Sequence, residues 1–111
     1  MSHDRWHTLR GEGALTLSRR LPVRFDLAVS TQLPEARMGR IAHQVRQDIW
    51  RALRGLRGFA PAVRVERTPA GLNVTAGGQV ACRFPRAEAE ARLHAVLENA
   101  GNRARWLRCA R

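Results

Sequence analysis

Trp50 stands in a run of arginines spaced like the face of a helix. Within residues 34–58 (PEARMGRIAHQVRQDIWRALRGLRG), Arg37, Arg40, Gln44, Gln47, Arg51 and Arg54 recur at three- and four-residue steps. Trp50 lies one turn from both Arg46 and Arg54, on the flank of that face. A guanidinium offers a planar fork of donors to a phosphate, and an indole offers a surface on which bases stack. A second cluster ends the chain. Residues 102–111 (NRARWLRCAR) carry Arg103, Arg105 and Arg108 around Trp106, with four Arg and no acid after Glu98. Arg40, Trp50, Arg51, Arg54 and Arg57 on the helix, with Arg103, Arg105, Trp106 and Arg108 in the tail, form the candidate nucleic-acid-binding set.

The same residues have plainer readings. The helix face is also what a solvated charged surface looks like, with Trp50 covered by arginine stems or tucked against a neighbouring element. A membrane-surface or peptide-binding helix has this pattern too. The tail is equally a last strand or a helical extension whose Trp packs down.

Catalytic chemistry has no comparable signal. It needs a nucleophile with its base, a paired acid and base, or a metal cluster. The chain has no Tyr and no Lys, and its four His are scattered. No Gly-rich loop separates a strand from a helix. His3, Asp4 and His7 lack further ligands nearby. Asp26 and Asp48 come together only if the fold happens to bring them. Cys82 and Cys109 are distant in sequence and read as small buried hydrophobes in a reducing compartment. A disulfide requires the C-terminal segment to lie beside the strand that holds Cys82. The expectation is no enzyme, no metal and no cofactor.

The 111 residues fit one domain large enough for a real core. The formal charge is +11, from 20 basic residues that are all Arg and nine acidic ones. Arg in place of every Lys matches the codon bias of a GC-rich genome, but that bias does not explain the excess of base over acid. Charge of this size costs self-repulsion and attracts polyanions. The N-terminal residues lack the apolar centre of a signal peptide, and no stretch is apolar enough to span a bilayer. The reading places the protein in a bacterial-type cytoplasm, with no membrane partner.

The elements that must position these residues follow from hydrophobic period. Met38, Ile41, Ala42, Val45, Ile49, Ala52, Leu53 and Leu56 form one apolar stripe, which predicts a long helix over residues 34–58. Pro34 suits its start, and Gly55 and Gly58 its stop. Alternation predicts strands at 14–18 and 23–30 joined as a hairpin, and at 62–68, 72–76 and 79–84 joined as a meander. Thr68-Pro69-Ala70-Gly71 and Gly77-Gly78 are the meander's turns. A second helix runs from Pro85 to a stop at Gly101, with Glu88 and Arg92 paired at i, i+4.

The expected fold is α+β, a small antiparallel sheet with two helices on one face. Its order is β-β-α-β-β-β-α, with room for a short C-terminal strand. Residues 1–12 are a flexible N-terminus, 13–101 the domain and 102–111 a basic segment. In element order, residues 35–100 resemble the double-stranded-RNA-binding domain, and residues 23–100 resemble ribosome hibernation factors. The first of these families opens its second helix on a basic cluster. Here that position reads Pro85-Arg86-Ala87-Glu88-Ala89-Glu90, so no family is assigned. The function expected is non-catalytic nucleic-acid binding, with RNA or a ribonucleoprotein favoured. The alternative is an accessory or adaptor subunit with an acidic protein partner, and a homo-oligomer through a sheet edge is the third.

Overall fold

A computed structural model describes residues 6–111. The strands are β1 (His7–Gly11), β2 (Ala14–Ser18), β3 (Leu27–Leu33), β4 (Phe59–Thr68) and β5 (Gly71–Val80). The helices are α1 (Met38–Leu53), α2 (Arg86–Glu98) and α3 (Ala100–Cys109). The sheet order is β1-β2-β4-β5-β3, antiparallel throughout. The α+β class is as the sequence predicts, with an order of β-β-β-α-β-β-α-α.

Period 2 assigns each strand an inner face. Leu15 pairs with Val65, Val65 with Val74, and Val74 with Thr31. The next inward row runs Leu17, Val63, Ala76 and Val29. The stripe of α1 (Ile41, Ala42, Val45, Ile49 and Leu53) and Leu93 and Leu97 of α2 close over these rows as one core. Helix α1 packs on β2, β4 and β5, and α2 packs on β3. Helix α3 lies against both helices.

Five expectations change, each for a physical reason. Residues 7–11, expected in a frayed end, form edge strand β1 on β2; residues 1–5 of that expected terminus lie outside the described residues. The hairpin of 14–18 with 23–30 does not form. β2 pairs with β1 and β4, whereas β3 pairs with β5 at the far edge. The link over residues 19–26 therefore crosses from one side of the sheet to the other. It is tied down by Arg19 N–H to the Pro61 carbonyl (3.0 Å) and Asp26 N–H to the Gly78 carbonyl (2.9 Å). Val23 and Phe25 alternate without a partner strand and stand beside Thr16 and Arg64, on the sheet face away from the helices.

The meander is instead one long hairpin, with Phe59 opposite Val80 and Thr68 opposite Gly71. Gly77-Gly78 lies inside β5 and makes no turn. A Cβ on Gly77 would sit 1.8 Å from the Leu27 carbonyl oxygen, and one on Gly78, at φ +142°, 2.2 Å from that of Ala60. The glycines let neighbouring backbones close in, which is the other use of glycine in a strand. With two strands instead of three between the helices, both resemblances in element order lapse.

Helix α1 begins at Met38 because pairing with β5 keeps the chain extended through Leu33, and Glu35 is held across the turn by Arg67. The second helix stops at Glu98, and Gly101 lies within α3. Asn99 is extended (ψ 119°), and its side chain caps α3 by accepting from Asn102 N–H at 2.8 Å. Asparagine is among the best N-caps, so the break is written locally.

Asp26 anchors the crossing link. Its carboxylate accepts from Val80 N–H at 3.0 Å and pairs with Arg24 at 3.2 Å, and its carbonyl accepts from Arg86 at 2.7 Å. The Val80 hydrogen bond, then the charges of Arg24 and Arg86, hold this carboxyl below the ordinary carboxylate value. A lowered folded-state value means stability present at neutral pH and lost as pH falls through that value. The gap in urea midpoint between wild type and Asp26→Ala is expected to shrink from neutral pH to about pH 2. Gly77→Val is expected to cost about 3 kcal/mol or more in the same denaturation, because backbone and not a flexible side chain occupies the space.

Candidate functional site

The tail predicted to reach a ligand is built into the fold. Trp106 is 0% exposed, and its Nε1–H donates to Asp48 Oδ2 at 2.7 Å. Arg105 pairs with the same carboxylate, and Arg51 stands 3.7 Å from its other oxygen. Arg103 donates to Thr31 Oγ1 and to the Leu97 carbonyl, both at 2.9 Å, and also to the Gln32 carbonyl. These groups hold α3 to α1, α2 and β3. The expectation that Trp106 stacks bases is overturned by its burial, and Arg103 and Arg105 are engaged internally. Arg108 alone of the tail candidates is exposed, beside Arg40 and His43 in a shallow groove. Arg40 reaches the Cys109 carbonyl at 3.4 Å, far along α1 from Trp50. Cys82 and Cys109, expected to be buried, are both exposed and unpaired. Asp26 and Asp48 serve separate anchors.

The helix cluster fares differently. Trp50 is 41% exposed and stacks on Phe59, with ring centroids 6.3 Å apart and planes 11° from parallel. Arg51, Arg54 and Arg57 are exposed around the same end of α1. Trp50 and Phe59 form one wall of a cleft of about 1110 Å³. The crossing link supplies the rim through Arg19, Arg20, Leu21 and Arg24. Arg46, one turn before Trp50, lies with its guanidinium 4.6 Å from the centre of the Trp6 ring, and Arg19 lies 5.9 Å from that ring. Such cation–π contacts leave the positive charge in place while fixing its position. Among the described residues no carboxylate lines this cleft.

Arg46 is strained electrostatically. Its Nε is buried without a hydrogen-bond partner among the described residues, and burial pulls its guanidinium below the ordinary value. Burial, then the Arg46 charge, also pushes the His43 imidazole down. Sequence spacing reaches Trp50, Arg51, Arg54 and Arg57, but not Trp6, Arg19, Arg20, Arg24, Arg46 or Phe59. The Arg19-Arg20 doublet beside Leu21, which is 49% exposed, was the one local hint.

What the arrangement can do is bind. It offers aromatic surfaces between fixed cations, with no nucleophile–base pair in reach. Among the described residues no three metal-ligating side chains gather, and no helix is long and apolar enough to cross a membrane. Compared with protein-family models, curated proteins and solved structures, the chain matches none.

The two tryptophans are expected to separate cleanly by mutation. Asp48→Ala leaves a buried indole N–H without an acceptor and should cost about 1–3 kcal/mol. Trp106→Ala should cost about 3–5 kcal/mol. Trp50→Ala, at the surface, should stay within about 1 kcal/mol of wild type. Urea unfolding followed by circular dichroism reads all three.

Proposed function

We propose that the protein is a non-catalytic nucleic-acid-binding domain that favours single-stranded RNA over duplex DNA. The observation that carries this reading is the arginine-rimmed cleft beside an exposed Trp50 on its Phe59 platform. Single strands present both a phosphate track and unstacked bases, and a basic surface with aromatic faces addresses both. A duplex hides its base faces. The net charge of +11 supplies the long-range attraction.

A second reading has one observation of its own. Leu21 and Trp50 are exposed large apolar side chains in the same arginine-rich patch. Trp and Arg are the commonest anchors of protein interfaces, so an adaptor role with an acidic protein partner uses the same surface. The absorbance ratio at 260 and 280 nm of purified protein separates the two readings. Retained nucleic acid supports the first, and a clean preparation with a co-purifying acidic protein supports the second.

Fluorescence anisotropy with labelled single-stranded RNA, duplex RNA and duplex DNA tests the first directly. Single-stranded RNA should bind tightest, with log K falling about 0.7 per phosphate engaged for each decade of salt. Arg51→Glu with Arg54→Glu should weaken binding by roughly tenfold or more at low salt. Binding unchanged between low and moderate salt overturns the reading.

A further inference from the structure

We infer that the cleft between Trp6 and Trp50 is a subsite for one unpaired nucleotide. Its base lies against the Trp50 indole and its phosphate on the rim formed by Arg20 and Arg24. The inference rests on the nucleic-acid reading above and adds a discrete pocket to what that reading treats as a surface.

Four observations converge on it. The first is size: about 1110 Å³ is a little above the range for small-ligand pockets, roughly 300–1,000 Å³, so the site has room for a compact molecule with surrounding water. The second is the pairing of aromatic walls. Trp50 is backed by Phe59 and Trp6 by Arg46, so each indole is held in place by a second flat group. A rigid aromatic wall binds a planar base without losing much side-chain freedom. The third is charge. Arg20 is exposed, and Arg24 has its guanidinium 3.2 Å from Asp26 with 58% of its side chain still exposed. Both stand on the link that is tied to β4 and β5 at each end, so the anion site is positioned by backbone hydrogen bonds.

The fourth is the buried Nε of Arg46, which has no acceptor among the described residues. A buried donor without a partner is rare and marks a place where an acceptor belongs. Trp6 lies over this group. Arg46 also lines the cleft, so a base that enters it brings an acceptor edge toward the guanidinium. Guanine presents two acceptors, O6 and N7, in the geometry a guanidinium fork matches. An acidic peptide would satisfy the arginines but offers no planar base to lie against the aromatic walls.

The test titrates the full chain with guanosine 5′-monophosphate, following intrinsic tryptophan fluorescence. Trp106 is enclosed, so Trp50 and Trp6 report the cleft. Saturable quenching is expected, with guanosine lacking phosphate binding about tenfold more weakly and inorganic phosphate competing. Arg20→Ala with Arg24→Ala should raise the Kd for the nucleotide at least fivefold while circular dichroism stays as in wild type. Quenching unaffected by that double substitution overturns the phosphate assignment. Labelled single-stranded RNA is titrated in parallel. RNA binding without nucleotide quenching overturns the subsite and leaves the nucleic-acid reading standing; failure of both overturns both.

Discussion

The carboxylate of Asp48 receives the indole N–H of Trp106 at 2.7 Å and the guanidinium of Arg105, and through them it fixes the last helix to the long one. In a chain with 20 arginines and nine acids, one partly buried carboxylate thus determines whether the C-terminal basic residues form an arm or a wall. The hydrogen bonds are charge-assisted, and loss of the acceptor would leave an indole donor stranded in the core. Arg103 adds contacts to Thr31 and to two main-chain carbonyls, so α3 also braces the end of β3. The consequence for function is subtraction. Arg103 and Arg105 are engaged internally, and the exposed basic surface is left to α1, the crossing link and the last arginines of the tail.

Where the acids go explains where the free positive charge remains. Asp26 anchors the link, Asp48 anchors α3, and Glu35, Glu66, Glu88 and Glu98 each stand beside an arginine. Exposed pairs of this kind contribute little to stability, about 0–1 kcal/mol each. Their effect on the surface is larger, because each neutralises an arginine, and apart from Arg24 beside Asp26 those arginines lie outside the cleft lining. Among the described residues the cleft lining itself has no acid. A positive concavity with apolar walls concentrates field and attracts anions more strongly than the same charges spread over a convex face.

The geometry of that cleft depends on the sheet order. Strand β2 sits second and β3 sits at the opposite edge, so residues 19–26 must travel across β4 and β5. The crossing places Arg19, Arg20 and Arg24 opposite Trp50, far from them in sequence. Gly77 and Gly78 permit the close approach of β3 and β4 to β5 beneath it. A side chain at either position would push the strands apart and move the link's anchors at Pro61 and Gly78 with them.

Much of this was legible from local pattern. The stripe from Ile41 to Leu53 is a helix because a 3.6-residue period leaves no other way to bury it, and Glu88 with Arg92 pairs at 3.0 Å as its spacing predicts. The α+β class, the turn at residues 68–71 and the exposed arginine face with Trp50 follow from the same short-range rules. Pairing does not. Val23 and Phe25 alternate as a strand would, yet alternation states only which residues share a side and not whether a neighbour strand is there. Gly-Gly is as good a turn as a close-approach site, and only the strands on either side of β5 decide between them. Trp106 and Trp50 have the same kind of basic neighbours in sequence. One is core and the other surface because Asp48 lies beneath the first and a link from the far side of the sheet passes beside the second, and contacts between residues distant along the chain exist only once it has folded.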